Sequence, residues 1–144
     1  MKILIINGPN LNLLGKREND IYGELTLDEI NLKIKEAFKD CSIELDFYQS
    51  NHEGEIITKI QNANCEFHAV IINPAAYSHY SIGILDAIKA INIDVIEVHL
   101  SNIYAREQYR RTSVISEGCT GVISGLGYYG YIMAINALIN KNII

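Results

Sequence analysis

Glu97, His99 and Ser101 fall at every second position of the run Asp94-Val95-Ile96-Glu97-Val98-His99-Leu100-Ser101. On a strand this period sets the three on one side, with Val98 and Leu100 opposite. A carboxylate two residues from an imidazole, near a strand end, can orient the ring and raise its pKa, which suits acid–base work. The competing reading is a half-exposed edge strand. Helical segments on both sides make the strand interior, where charge needs a purpose. The arginines form a second constellation. There are four against eight lysines, and Arg106, Arg110 and Arg111 crowd six residues, with Arg17 alone. A chain of net charge -5 that concentrates guanidinium groups has a local use for them, such as a carboxylate or phosphate. A solvated face paired with Glu107 and Glu117 would look the same. The long polar stretch from Asn7 to Glu24 holds Arg17 and Tyr22. Loops of this length in a compact chain commonly cover active sites. A phenol near pKa 10 is a poor base at neutral pH, and a neighbouring guanidinium favours its phenolate.

Other motifs carry less. Gly125-Leu126-Gly127-Tyr128-Tyr129-Gly130 matches G-x-G-x-x-G, but it follows the last strand and no acidic residue comes ~20 residues later. Close strand–helix packing through glycine is the preferred reading. Gly15-Lys16 lacks the rest of a phosphate loop, because Asn10 and Arg17 stand where glycine and Ser/Thr belong. The four histidines (His52, His68, His79 and His99) show no metal-ligand spacing, so no metal is expected. A receiver domain would want aspartate where Asn73 stands.

These residues need a scaffold, and the pattern supplies one. Ile3–Ile6 and Ala69–Ile72 are short apolar runs, as in buried strands, and Asp94–Leu100 and Gly121–Ser124 read as a fourth and a fifth strand. Ile43 to Tyr48 alternates like an edge strand. Between them lie helical stretches: a capping box at Thr26-Leu27-Asp28-Glu29 leading the stripe Leu27, Ile30, Ile34, Ala37, Phe38; then Glu55–Asn64, Ser81–Ala90, Arg106–Arg111 and Tyr131–Ile139. Five strands with intervening helices imply right-handed crossovers and a five-stranded parallel sheet with helices on both faces, an α/β, flavodoxin-like fold. Ligands in such folds sit beyond the carboxyl ends of the strands, which here are rich in amides, hydroxyls and imidazoles. The length, 144 residues, suits a single catalytic domain with a lid at about residues 11–24. The 26 isoleucines suit buried strands. The acidic balance argues against nucleic acid, and no apolar run reaches a membrane span. Asn7-Gly8-Pro9-Asn10 interrupts the first apolar run, so no signal peptide is read there. Cys41, Cys65 and Cys119 are expected to be reduced, buried and cytosolic.

Longer motifs resemble one family. Asn7-Gly8-Pro9-Asn10-Leu11-Asn12-Leu13-Leu14-Gly15-Lys16-Arg17-Glu18 with Tyr22-Gly23 resembles the opening signature of type II 3-dehydroquinate dehydratases. So do Asn73-Pro74-Ala75-Ala76-Tyr77-Ser78-His79, Glu97-Val98-His99-Leu100-Ser101-Asn102, Ala105-Arg106-Glu107 with Arg110, and Gly125-Leu126-Gly127. The resemblance runs from Met1 to about Leu138. Asn19 stands where the family usually has proline, and Tyr80 where it has a small polar residue.

The resemblance implies trans elimination of water from 3-dehydroquinate through an enolate, without metal or cofactor, in the shikimate pathway of chorismate and aromatic amino acid biosynthesis. By position, Tyr22 would be the base, Arg17 the stabiliser of its phenolate, and Asn10 the holder of a water on the enolate oxygen. His99 would be the acid and Glu97 its orienter. Asn73, His79, Arg110, Ser101 and the Leu100–Ser101 backbone would bind substrate, with Arg106 supporting the lid. Asp86 would reach a neighbouring subunit's site in a homododecamer, a tetramer of trimers in the cytoplasm. A flavodoxin-like nucleotide binder using Gly125–Gly130, or an inactive interaction subunit of the same fold, are the alternatives.

Overall fold

The computed structural model describes residues 1–16 and 23–141. Five parallel strands form one sheet: β1 (Lys2–Asn7), β2 (Glu44–Gln49), β3 (Ala69–Asn73), β4 (Asp94–His99) and β5 (Gly121–Ser124). Their order is β2-β1-β3-β4-β5, which is that of the flavodoxin-like fold expected from the alternating pattern. Among the described residues, four α-helices lie between and after them: α1 (Leu27–Ala37), α2 (Glu53–Glu66), α3 (Ile82–Lys89) and α4 (Tyr129–Ile139). Among the described residues, no helix is long and apolar enough to cross a membrane.

Alternation along each strand divides the core in two. Ile3, Ile5, Ile71 and Val98 face α1 and α4 through Ile30, Ile34, Tyr131 and Ile135. Leu4, Ile6, Val70 and Ile72 face α2 and α3 through Ile56, Ile60, Ile84 and Ile88. Ile3 to Ile6 are all 0% exposed. Each such side chain contributes about 1.5–3 kcal/mol of burial, so β1 alone anchors both layers. The capping box forms as expected, with Thr26 Oγ1 accepting from Glu29 N–H and Glu29 accepting from Thr26 N–H. Ala37, counted in the α1 stripe, is exposed instead.

Two local expectations change. Arg106–Arg111 is no single helix. Two 3-10 turns, Ile103–Ala105 and Gln108–Arg110, are joined by extended backbone at Arg106 and Glu107. Cys41 and Cys65 are exposed, and Cys119 is partly so. Cys41 follows the end of α1 and Cys65 lies in the last turn of α2, and neither side chain joins the core clusters.

The chain leaves β1 toward β2 on one side and returns to β3 on the other, so the direction of winding switches between β1 and β3. At that switch point the chain closes up. Gly8 N–H donates to the Asn73 carbonyl at 2.8 Å. A Cβ at Gly8 would lie 2.5 Å from the Pro74 carbonyl oxygen, which only glycine avoids. Gly8→Ala should therefore destabilise the protein by about 1–3 kcal/mol. At Gly54, near the start of α2, an added Cβ would meet nothing within 4 Å. Gly54→Ala should stabilise by about 0.4–1 kcal/mol. Denaturant titration of the two variants reads both signs, and a loss at position 54 equal to that at position 8 would refute the steric argument.

Candidate active site

A cleft opens at the carboxyl ends of β1, β3 and β4. Asn10, Asn73, His79, His99, Leu100, Ser101, Arg106 and Arg110 all border it. Its cavity volume is about 160 Å³. At roughly 10–15 Å³ for each water-sized group, that suits about a dozen non-hydrogen atoms, a small polar molecule and not a dinucleotide.

The strand period read on β4 holds. Glu97 is 0% exposed and His99 5%, and His99 Nε2 lies 2.5 Å from Glu97 Oε1. Glu97 has two further donors. Ser113 Oγ donates to Oε1 at 2.6 Å, and Ser116 Oγ donates to Oε2. Burial pushes the Glu97 pKa up, but the hydrogen bonds from His99, Ser113 and Ser116 outweigh it and hold the carboxyl below its ordinary value. An ionised carboxylate only accepts, so His99 donates through Nε2 and keeps Nδ1 for the cleft.

The other imidazole is fixed the same way. His79 Nδ1 lies 2.8 Å from the Thr112 carbonyl, which also only accepts, so Nε2 is the nitrogen left over. His52 precedes α2, and His68 Nδ1 accepts from Lys2 N–H at 3.0 Å. Neither borders the cleft.

Of the clustered arginines, two serve the cleft. Arg106 Nη1 donates to Ser101 Oγ at 3.4 Å, and its Nε lies 3.5 Å from Glu107 Oε2. Arg110 Nε lies 3.3 Å from the same oxygen, without hydrogen-bond alignment. Arg111 instead donates to the Arg106 carbonyl at 2.8 Å, tying the two short turns together. Among the described residues both guanidinium groups thus approach the Glu107 carboxylate, an arrangement that an incoming carboxylate can join.

Asn10 and Ala75, both bordering the cleft, have φ of 66° and 51°. Such strain costs about 1–3 kcal/mol for each non-glycine residue and persists only where neighbours enforce it. Asn51 Oδ1 accepts from Asn10 N–H at 2.9 Å, and Asn73 Oδ1 accepts from Ala75 N–H at 3.2 Å. Leu100 and Ser101 have their carbonyls taken by Gly127 N–H and Ser124 Oγ.

Asp86 sits on the exposed face of α3, apart from the cleft. Arg17 and Tyr22 lie outside the described residues. So does the middle of the stretch read as a lid, residues 17–22, while its first part is fastened by Leu11 and Leu14, 6% and 3% exposed. Tyr80 is exposed and packs edge-on against Tyr77, away from the cleft. The glycine motif packs as expected: Cβ atoms at Gly125 and Gly130 would meet Asn102 Cβ at 2.9 Å and Val98 Cγ1 at 3.0 Å. Ser113, Ser116, Asn51 and Tyr131 carry no motif that marks them for the site. Ser113-x-x-Ser116 beside a predicted buried carboxylate is the one usable signal.

The family model for class II dehydroquinases matches residues 1–139. This chain belongs to that family. It is 64% identical over 139 residues to a 3-dehydroquinate dehydratase of Clostridium botulinum strain Hall, covering 96% of this chain and 95% of the relative. It also superposes on the crystal structure of a type II dehydroquinase from Butyrivibrio crossotus, with a TM-score of 0.95, 50% identity, and 97% and 98% of the two chains covered. The Propionibacterium acnes type II dehydroquinase gives 0.91, 42% identity, and 95% and 94% coverage.

Because its carboxyl is held below the ordinary 4.5, Glu97 contributes stability above that pH and loses it as pH falls through the folded value. Removing both hydroxyls (Ser113→Ala with Ser116→Ala) raises the folded pKa, so the acid loss begins at higher pH. Each hydrogen bond to the charged group is worth about 1.5–3 kcal/mol at neutral pH. Thermal unfolding from about pH 3 to pH 7 checks this. Unchanged acid behaviour in the double variant would show that the serines do not hold the charge.

Proposed function

We propose that the cleft removes water from 3-dehydroquinate to give 3-dehydroshikimate, the dehydration for which the relatives are named, and so serves the shikimate pathway. The observation that carries this reading is the buried Glu97–His99 pair opening onto a cleft that also holds two guanidinium groups. A small polyhydroxylated carboxylate fits such a lining. The net charge of -5 is no obstacle, because the local field governs binding.

In this reading Tyr22, as phenolate, takes the C2 proton. Arg17 stabilises that phenolate and the negative charge that develops on the substrate. The electrons form an enolate, whose oxygen is stabilised by a water held at Asn10. The enolate then collapses, the C1–O bond breaks, and a C1=C2 double bond forms conjugated to the ketone. His99 gives the departing hydroxyl its proton through Nδ1, and water leaves. Glu97 keeps the ring in that orientation by accepting from Nε2. Asn73, His79, Ser101, the Leu100–Ser101 backbone and Arg110 hold hydroxyls and carboxylate, with Arg106 supporting a lid at about residues 11–24 of a single catalytic domain.

The assembly we propose is a homododecamer built from trimers, working in the cytoplasm. Asp86 supports it, since a polar residue outside its own cleft is free to reach a neighbour's.

Purified protein given 3-dehydroquinate should produce the absorbance of the conjugated enone. His99→Ala should lower kcat by about 10²–10⁴-fold, while His52→Ala and His68→Ala leave it nearly unchanged. A near-normal kcat in His99→Ala would mean that another group protonates the leaving hydroxyl.

Tyr22 and Arg17 should act as one unit. A phenol of pKa ~10 is about 0.1% ionised at pH 7, which withholds roughly 4 kcal/mol, and a close guanidinium shifts a pKa by about 1–3 units. Tyr22→Phe should abolish C2 proton abstraction, Arg17→Ala should cost nearly as much, and the double variant little more. Turnover with C2-deuterated substrate measures the step. Simply additive losses would make Arg17 a substrate clamp only.

A further inference from the structure

Asn7, Asn73 and Tyr131 are 1%, 3% and 1% exposed and form a polar chain beneath the cleft. Asn7 and Asn73 are register partners at the ends of β1 and β3. Tyr131 reaches both from α4. Asn73 Nδ2 donates to Tyr131 Oη at 3.0 Å, and Tyr131 Oη donates to Asn7 Oδ1 at 2.6 Å. Burial holds the Tyr131 phenol above its ordinary pKa, despite the Asn73 hydrogen bond, so the ring keeps its proton.

The donors allow one arrangement. A phenol has a single hydrogen, and Asn7 receives it. Tyr131 Oη can then only accept from Asn73, which must therefore offer N–H. The other side of the amide agrees, since Asn73 Oδ1 accepts from Ala75 N–H at 3.2 Å. A flipped amide would set N–H against the Ala75 N–H and its oxygen against a hydroxyl with no hydrogen left. The second Nδ2 hydrogen has neither of these partners, and Asn73 borders the cleft.

We propose that Tyr131 is a positioning residue for substrate: the chain from Asn7 through Tyr131 locks the Asn73 amide so that it presents an N–H to the cleft and selects a hydrogen-bond acceptor, a ring hydroxyl or carbonyl oxygen. This deepens the reading of Asn73 as a substrate contact and rests on it. Tyr131 itself touches no substrate. It acts from α4 by fixing which end of an amide faces outward.

Tyr131→Phe keeps the ring and removes the hydroxyl. KM for 3-dehydroquinate should rise about 2–10-fold, the range of one net hydrogen bond, with kcat within about twofold. Asn73→Ala should raise KM at least as much, and the double variant should match Asn73→Ala alone, because one residue acts through the other. Multiplicative KM losses, or lower stability with unchanged KM, would overturn the proposal. If Tyr131→Phe does not fold, Asn7→Ala tests the same chain from its far end. It frees the Tyr131 hydrogen to point at Asn73 and permits the flip, so KM should again rise, and an unchanged KM rejects the lock. If wild-type protein shows no turnover, the proposed reaction fails separately. The lock is then judged by exchange of the Asn73 side-chain amide hydrogens, expected to be about 10-fold faster in Tyr131→Phe. Equal exchange in both proteins would reject it.

Discussion

The site depends on one buried charge. Glu97 stands on an interior strand, 0% exposed, where an unpaired carboxylate would be driven to protonate. Keeping it ionised requires several donors to converge on it. His99 comes from the same strand, two residues on. Ser113 and Ser116 come from the segment between the arginine turns and β5. That segment must pass beside Glu97, and Ile115 locks it there, 0% exposed within the core formed with α2 and α3. The irregular backbone from Ile103 to Gly118 is therefore built around the carboxylate. Its short turns do what one regular helix could not, carrying Arg106 and Arg110 to the cleft and the serines to Glu97.

Two kinds of polar group meet in the cleft, at different depths. The buried ones have most of their hydrogen-bonding capacity committed: Glu97 to three donors, and Asn73 to Tyr131 and Ala75. Arg106 and Arg110 both approach Glu107, whose side chain is 52% exposed. Orientation is set at the bottom of the cleft and charge is offered at its mouth.

Most of the scaffold was legible because period and punctuation agree in it. Strand runs, the capping box at Thr26 and Glu29, and the parallel arrangement of the sheet followed from patterns that a buried parallel sheet imposes. The Glu97–His99 pairing was legible for the same reason, since alternation on one strand is local information. What escaped was non-local. Ser113 and Ser116 matter only because another strand sets a carboxylate opposite them. Tyr131 reads as one more apolar position of α4 until Asn7 and Asn73 are seen beneath it. The arginine run read as helix because its spacing suits one, and extended backbone at Arg106 and Glu107 overrode that propensity. Cysteine is frequently buried, but at Cys41 and Cys65 the helix ends dictate exposure.

Register turns these local patterns into one site. Asn7 pairs with Asn73 across β1 and β3, and Ile72 pairs with Glu97 across β3 and β4. Asn73 is thus level with Val98, and His99 stands one residue nearer the cleft. The same alternation sends Val98 into the layer of α1 and α4 and Glu97 toward Ile115 and its serines. A slip of one residue in β4 would exchange those faces. Glu97 would enter an apolar layer that holds Tyr131 and Ile135, with no serine in reach, and Val98 would face Ser113 and Ser116. Both errors are costly, the first as an unpaired charge and the second as unsatisfied hydroxyls. The interactions that keep the acid group ionised and oriented therefore also specify the pairing of the strand that carries it, so the chemistry and the fold share one constraint.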